Sequence, residues 1–202
     1  MENIEFHLVE TPIDVIFLDI DGVLNGYNFW NTLGWNIICK LNNKKLKRWY
    51  RNITQPFGIH KRKVKRLAKI VHKTNAKIVI SSSWRTGLQS NNLSDEEVKL
   101  LNLFKKYKID IYDYTPVLDS NSRCNEIVAW IMRNVSCDEF IILDDEKHDF
   151  YKCPSLSERF IQTSVMKKSR FIKNHWYEDA GLKNKHVKEA IKLLKRKVEE
   201  CV

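Results

Sequence analysis

Three short apolar runs, each followed at once by polar residues, constrain the fold of this chain more than any other feature. Residues 15–18 are rich in β-branched and aromatic side chains and end at an aspartate, residues 77–80 end at three serines, and residues 140–143 end at two aspartates. Uninterrupted apolar runs of about four to eight residues are typical of strands that are buried on both faces. The sequence therefore predicts a central parallel sheet.

The segments between these runs predict helices on both sides of that sheet. Four of them have the 3.6-residue periodicity of amphipathic helices: residues 59–74, 94–107, 122–133 and 185–199. Two further segments are candidate short strands: residues 109–112 and 159–162. Strands that alternate with helices indicate an α/β fold, here a three-layer α/β/α sandwich.

The polar residues at the ends of the predicted strands are the candidate functional residues. Ligands of such sheets bind at the carboxyl ends of the strands, so Asp19, Asp21, Ser81, Asp144 and Asp145 should gather in one crevice. Four carboxylates repel one another unless a cation lies among them, and a set of oxygen ligands favours Mg²⁺. A carboxylate beside Mg²⁺ can attack phosphorus and form an aspartyl-phosphate.

The spacing of these residues suggests a division of roles. Asp19 and Asp21 are two positions apart and project to the same side of an extended chain, so one can attack while the other transfers protons. Ser81 can hydrogen-bond a phosphoryl oxygen, and a cation must offset the charge of that group. Arg123 is the first choice for this cation and Arg85 the second. The candidate phosphate-binding residues are Ser81, Ser82, Arg85 and Arg123.

The distribution of charge points to a polyanionic partner. The formal net charge is +10, and residues 22–94 contain fifteen Lys and Arg but no Asp or Glu. Such a region attracts nucleic acids and other polyanions. The alternative is that these cations form the solvated helix faces of a basic protein.

The strand-end motifs resemble those of the haloacid dehalogenase (HAD) superfamily. Residues 16–25 (IFLDIDGVLN) resemble its first motif, residues 78–81 its second and residues 141–145 (IILDD) its fourth, and Arg123 can stand for the basic third motif. The finer pattern is similar to that of HAD domains associated with RNA-repair proteins: Ser81-Ser82-Ser83-Trp84-Arg85, Thr115-Pro116, Arg123, Glu126-Ile127 and Trp130. The resemblance covers residues 15–194.

This resemblance implies a Rossmann-like core with strand order 5-4-1-2-3 and a phosphatase activity. It makes Asp19 the nucleophile and Asp21 the general acid and base. It also implies a Mg²⁺ site formed by Asp19, the Asp21 carbonyl and Asp145, with Asp144 close behind. Residues 1–202 are expected to form a single HAD-like domain, in which residues 164–202 are a C-terminal segment with a helix packed on the core.

Many HAD proteins cover the site with a separate cap domain, for which residues 26–58 are too short. We expect them to form a flap or a small insert rich in aromatic and basic residues. The candidate substrate-binding residues are Lys44, Lys45, Lys47, Arg48 and Trp49. Aromatic faces stack on bases and cations hold phosphates, so these residues should matter more to substrate binding than the helix at 59–74. The alternative is that the aromatic residues form the small core of the insert.

The predicted function is thus Mg²⁺-dependent hydrolysis of a phosphomonoester, on a phosphorylated nucleic-acid end (a 3′-phosphate) or a nucleotide. The alternatives are a small-molecule phosphatase such as a nucleotidase, and a non-catalytic nucleic-acid-binding module. No run of eighteen apolar residues and no signal-peptide pattern is found, so no membrane association and a cytoplasmic location are expected. The five cysteines are scattered without a CxxC pair, which argues against a zinc site or a disulfide framework.

Overall fold

The computed structural model describes residues 11–25, 34, 37–54, 58–119, 122–134, 136–168 and 176–195. The strands are β1 Ile13–Leu18, β2 Lys77–Ile80, β3 Ile111–Tyr114, β4 Cys137–Asp144, β5 Phe160–Gln162, β6 Val165–Lys168 and β7 Trp176–Asp179. The helices are α1 Lys44–Thr54, α2 Lys61–Thr74, α3 Arg85–Leu88, α4 Asp95–Lys106, α5 Arg123–Arg133, α6 Pro154–Glu158 and α7 Asn184–Leu194, with a 3₁₀ turn at Phe150–Lys152.

The main sheet contains five parallel strands in the order β3-β2-β1-β4-β5, which confirms the predicted order. The central strand is β1, in which Phe17 lies opposite Val79 of β2 and Ile142 of β4. Residues 15–18 have no exposed surface. Because both edges and both faces of β1 are covered, its sequence is an unbroken apolar run rather than an alternating one.

Helices cover both faces of the sheet, as the predicted α/β/α sandwich requires. Ile16 and Leu18 point to the face that packs against α2, α4 and α7. Val15 and Phe17 point to the opposite face, which packs against α5, the 3₁₀ turn and α6. The architecture is therefore the Rossmann-like sandwich expected from the sequence.

The start of α5 is held firmly against the sheet, and this matters because Arg123 lies in its first turn. The Ser122 hydroxyl accepts a hydrogen bond from the Asn125 amide at 3.1 Å and caps the helix. Further along α5, the buried Trp130 packs edge-to-face on Phe17, with ring centroids 5.3 Å apart. Its indole N–H donates to Asp113 Oδ2 at 2.6 Å, so the helix is fixed at both ends.

The boundary of the third strand differs from the prediction. The capping box of Ser94 and Glu97 is confirmed at the start of α4. The strand predicted at residues 109–112 begins two residues later, at Ile111. Lys108 has a positive φ of 52°, and the Ile109 amide donates to the Phe104 carbonyl at 3.0 Å. These two residues therefore close the end of α4 and cannot belong to the strand.

The C-terminal part contains one feature that the sequence did not predict. Strands β6 and β7 form a separate antiparallel pair, in which Met166 lies opposite Glu178. The helix predicted at 185–199 is α7, whose Val187, Ala190 and Leu194 are buried in the core; residues 196–202 lie outside the described part of the chain. None of the described helices has the length and apolar character needed to cross a bilayer.

Candidate active site

The loop after β1 fixes the first pair of aspartates. The Asp19 amide donates to the Leu143 carbonyl at 2.9 Å, which keeps the backbone in register with β4 for one residue beyond the strand. Gly22 then turns the chain with φ +63°, and its amide donates to Asn25 Oδ1 at 2.8 Å. The side chain of Asp19 is buried, whereas that of Asp21 is exposed.

Both oxygens of the Asp21 carboxylate accept a hydrogen bond. Asn25 Nδ2 donates to Oδ1 at 2.6 Å, and Trp84 Nε1 donates to Oδ2 at 2.9 Å. Asn25 itself is buried, and its carbonyl accepts a hydrogen bond from the Lys63 ammonium. The carboxylate of Asp21 is therefore oriented by two neutral donors, one local and one from the segment after β2.

Three carboxylates form an acidic cluster at the carboxyl edge of the sheet. Oxygens of Asp19, Asp144 and Asp145 all lie within 4.8 Å of one another. Asp144 is fully buried; its Oδ1 accepts from the Glu146 amide at 3.0 Å and from His148 Nε2 at 3.2 Å. Its Oδ2 has no hydrogen-bond partner among the described residues. A buried carboxylate oxygen without a donor is an available ligand for a cation.

The pKa of Asp19 is raised well above its ordinary value. Burial is the main cause, and the negative charge of Asp144 adds to it, whereas Arg123 and a hydrogen bond from Ser82 act in the opposite direction. Burial and the neighbouring carboxylate therefore disfavour the charged form of Asp19 more than Arg123 and Ser82 favour it. The Asp21 carboxylate is not part of the cluster.

The guanidinium group of Arg123 lies beside these carboxylates. Its guanidinium NH2 lies 3.7 Å from Asp19 Oδ1, its Nε lies 3.8 Å from Asp144 Oδ2, and its NH1 lies 3.6 Å from Glu126 Oε2. The Nε–H has no hydrogen-bond partner among the described residues. The group is thus close enough to Asp19 to contact a phosphoryl group bound there.

Arg85 is buried and has a different partner. Its NH2 forms an ion pair of 2.5 Å with Glu126 Oε1, and its NH1 donates to the Ser82 carbonyl at 3.3 Å. Glu126 is also buried and lies between the two guanidinium groups. Of the two predicted cations, the structure therefore places Arg123 beside Asp19 and pairs Arg85 with Glu126.

The serines after β2 lie at the same edge of the sheet. The Ser81 amide donates to the Leu18 carbonyl at 2.9 Å, and its side chain is fully buried. Ser81 Oγ has no hydrogen-bond partner among the described residues, whereas Ser82 contacts Asp19 through its hydroxyl. An unpaired buried hydroxyl at the same edge of the sheet as the acidic cluster is suited to a ligand oxygen.

Four residues of this crevice were not assigned a role from the sequence: Asn25, Trp84, Glu126 and Thr163. Thr163 follows β5, and its hydroxyl donates to the carbonyls of Gly22 at 2.9 Å and Asp144 at 3.3 Å. It thereby joins the two loops that carry the aspartates. The rule that functional residues follow parallel strands would have pointed to Thr163.

The predicted insert is described only in part. Lys44, Lys45 and Arg48 of α1 are exposed, Lys47 is half-buried, and Trp49 is 56% exposed. The described hydrogen bonds of these five residues are local, such as that from Lys47 Nζ to Asn42 Oδ1 at 3.4 Å. Their contact with a substrate stays a prediction. The aromatic residues at positions 27, 29, 30, 35 and 57 lie outside the described residues.

One family model matches the chain over residues 15–167 and describes an HAD domain in Swiss Army Knife RNA repair proteins. The matched segment contains residues 15–18 of β1, the other four strands of the main sheet and every residue of the crevice described above. Comparison with curated proteins and with solved structures found no match. The match confirms the resemblance that the strand-end motifs indicated. The chain belongs to the family of HAD domains of Swiss Army Knife RNA repair proteins.

Proposed function

We propose that this protein is a Mg²⁺-dependent phosphomonoester hydrolase that acts through an aspartyl-phosphate on Asp19. Its substrate is a phosphorylated nucleic-acid end, a 3′-phosphate in the first instance, or a nucleotide. Membership of an HAD family supports a phosphatase-type hydrolase. The observation that carries the proposal is the proximity of Asp19 to Asp144, Asp145 and Arg123 at one edge of the sheet.

In the first step a carboxylate oxygen of Asp19 forms a bond to phosphorus while the bond from phosphorus to the leaving oxygen breaks. Arg123 offsets negative charge on the phosphoryl oxygens, and the Ser81 hydroxyl donates a hydrogen bond to one of them. The leaving oxygen takes a proton from Asp21. Each Asp21 oxygen that accepts a hydrogen bond keeps a second lone pair, so the held carboxyl group can still carry this proton.

In the second step Asp21 acts as a general base. It takes a proton from a water molecule, whose oxygen forms a bond to phosphorus as the bond to the Asp19 oxygen breaks. Inorganic phosphate leaves, and the Asp19 carboxylate is restored. The exposure of Asp21 suits this role, because Asp21 must contact the water molecule that it deprotonates.

The residues present fit a hard divalent cation. Asp19, Asp145 and the Asp21 carbonyl would hold Mg²⁺, with Asp144 close behind. The ligands are all oxygen atoms, and one buried oxygen of Asp144 lacks a hydrogen-bond donor among the described residues. When bound, Mg²⁺ would offset the charge of the carboxylates and of the phosphoryl group.

The charge distribution and the family support the proposed substrate. Residues 22–94 lack acidic groups, and the family occurs in RNA repair proteins.

We infer that residues 1–202 form one HAD-like domain, with residues 164–202 as its C-terminal segment, and that residues 26–58 form a flap or small cap. A site under so small a cover is closed by a large substrate rather than by a domain.

A phosphate-release screen tests the proposal. The substrates are 3′- and 5′-phosphorylated oligonucleotides, mononucleotides and sugar phosphates, each with Mg²⁺ and after chelation. We expect release from oligonucleotide ends, loss of release on chelation, and loss in Asp19→Asn but not in the matched surface variant Asp110→Asn.

Three results would contradict parts of the proposal. If Asp19→Asn keeps activity within about tenfold of the native protein, the covalent step on Asp19 is ruled out. Full activity after exhaustive chelation would rule out a required metal ion. Preference for mononucleotides or sugar phosphates would favour the small-molecule alternative, and no release from any substrate would favour a binding module.

A further inference from the structure

A row of exposed lysines runs along α2. Lys61, Lys65, Lys69 and Lys73 occupy every fourth position, and all four are exposed. Four residues correspond to about 6 Å along a helix axis, and side chains four apart lie next to each other on the surface. The row is therefore about 18 Å long. Like charges at this spacing repel one another, which disfavours the helix unless an anion is bound.

A groove of about 640 Å³ lies alongside the last three lysines of this row. Its lining includes Arg62, Lys65, Lys69 and Lys73 together with Tyr107 and Asn184, and none of the described residues that line it is acidic. A groove whose walls are neutral or cationic favours an anionic ligand.

The floor of the groove is rigid. Arg66 is half-buried there, and its guanidinium donates to Asn184 Oδ1 at 3.2 Å and to the Leu182 carbonyl at 2.8 Å. These bonds join α2 to the start of α7. The pKa of Arg66 is lowered by burial and by the positive charge of Arg62, so the cations of the groove repel one another within the protein.

The exposed cations of the groove have no acidic partners in the described part of the chain. Arg123, Arg85 and Arg159 each form an ion pair with a carboxylate, whereas Arg62, Lys65, Lys69 and Lys73 form none there. Because residues 22–94 contain no Asp or Glu, α2 has no acidic residue of its own. Their charge is thus available to a polyanion.

The lysine row starts beside the candidate active site. The His60 amide donates to the Leu24 carbonyl at 3.0 Å, which fixes the start of α2 to the loop that carries Asp21. From there α2 runs toward the amino ends of the parallel strands, where β2 begins. The row therefore leads from the carboxyl edge of the sheet along the flank of the protein.

We propose that the groove along α2 binds the phosphodiester backbone of a nucleic-acid strand, at a site separate from the crevice of Asp19. Backbone phosphates lie at regular intervals, as the lysines do. At the rise of about 3.4 Å for each nucleotide of a strand, the row spans about five nucleotides. The contacts are to the backbone and carry no preference for sequence. The site does not require that the protein hydrolyse phosphomonoesters.

Binding of a short labelled RNA strand without terminal phosphates tests this proposal. We compare Lys65→Glu/Lys69→Glu with Arg133→Glu/Lys152→Glu, which changes the net charge equally but on the exposed surface over the opposite face of the sheet. We expect the α2 variant to weaken binding about tenfold and to reduce the slope of log K against log salt by about 1.4, since two phosphates are no longer neutralised. The control should bind within about twofold of the native protein.

The other results would overturn the proposal. Equal weakening in both variants would show that only net charge acts, and no weakening in either would exclude the groove. Competition by polyglutamate as effective as that by RNA would assign the groove to an acidic protein.

The thermal melting midpoint shows whether each variant is folded. If Lys65→Glu/Lys69→Glu unfolds, Lys65→Gln/Lys69→Gln replaces it. Binding should persist in Asp19→Asn, so failure of the hydrolytic mechanism is distinguished from failure of the groove.

Discussion

The indole N–H of Trp84 donates a hydrogen bond of 2.9 Å to Oδ2 of Asp21, the carboxylate that we propose as general acid and base. The two residues are 63 positions apart, so the bond links the first strand-end loop to the second. Asn25 holds the other oxygen. We therefore expect Trp84 to act as a positioning residue that sets the direction in which Asp21 delivers a proton.

Trp84→Phe should lower the rate of phosphate release, because it removes this bond and keeps an aromatic ring. A hydrogen bond to a charged group contributes about 1.5–3 kcal/mol, so a loss of about tenfold in kcat is expected at this exposed carboxylate. The matched control introduces Trp84→Phe into the Asp21→Asn variant. If Trp84 acts through Asp21, Trp84→Phe should not lower the rate of that variant further. An equal loss of rate in both backgrounds would show a merely structural role.

Glu126→Gln should destabilise the protein, because it leaves the buried guanidinium group of Arg85 without its counter-charge and removes one of the three carboxylates close to Arg123. Breaking a buried ion pair by removal of one partner costs about 3–5 kcal/mol. The measurement is urea unfolding, with Glu189→Gln on the exposed side of α7 as control, for which a change below about 0.5 kcal/mol is expected. A small effect of Glu126→Gln would mean that the network is not a folding requirement.

Gly22→Ala should increase the Mg²⁺ concentration that activity requires. A Cβ at this position would overlap the Cβ and carboxyl group of Asp145, and the positive φ of 63° disfavours any side chain. Displacement of Asp145 should raise the Mg²⁺ concentration for half-maximal activity by about tenfold or more. Gly181→Ala carries similar backbone strain at φ +100°, and its Cβ would meet the side chain of Lys63 instead. It should lose stability and keep its Mg²⁺ dependence; the same shift in both variants would assign the effect to strain alone.

The strand ends could be predicted because a buried parallel strand appears in the sequence as an apolar run of about four residues, whichever strands it pairs with. The same rule located Asp19, Ser81, Asp144 and Asp145, since topology alone brings strand ends together. The rule could not decide whether Arg123 or Arg85 lies beside Asp19. That difference depends on their contacts with Glu126, which is three residues from Arg123 and 41 residues from Arg85 in the sequence.

Other features depend on packing in three dimensions. The contact of Trp84 with Asp21 requires the turn into α3, a helix of four residues without a periodic pattern. Strands β6 and β7 have no alternation of polar and apolar residues, so nothing in VMKK or WYED distinguishes them from loops. The start of β3 was misplaced because Ile109 is apolar yet completes the end of α4.

The stability of the protein should depend on the charge of Asp149, which holds the start of α5. Burial acts to raise the pKa of this carboxyl group, but hydrogen bonds from the Ser122 hydroxyl at 2.5 Å and the Cys124 amide at 3.2 Å outweigh it and lower the pKa. A lowered pKa in the folded state stabilises it above the unfolded-state pKa of about 3.9, and the contribution is lost as the pH falls through the folded-state value.

Asp149→Ala should therefore lower the free energy of unfolding by about 1 kcal/mol at neutral pH, as for other helix-start contacts. Its difference from the native protein should shrink as the pH falls below about 4. Urea unfolding at several pH values measures this, with the exposed Asp110→Ala as control. A difference that stays constant down to low pH would show that the charge of Asp149 does not contribute.

The four cations of α1 provide the test of the substrate class. Their replacement by Ser (Lys44, Lys45, Lys47 and Arg48) should weaken binding of a 3′-phosphorylated oligonucleotide. It should also reduce the slope of log K against log salt, by about 0.7 for each phosphate of a single strand that is no longer neutralised.

Binding of the same strand without its terminal phosphate distinguishes these four cations from the α2 groove. We expect the α1 variant to weaken binding of the phosphorylated strand more than that of the unphosphorylated strand, and the groove variant to weaken binding of both strands equally. Turnover of a small phosphate ester, measured alongside, reports the crevice alone, since none of the four belongs to the acidic cluster. Equal losses for the oligonucleotide and the small ester would make α1 structural, and no loss for either would favour a small-molecule phosphatase.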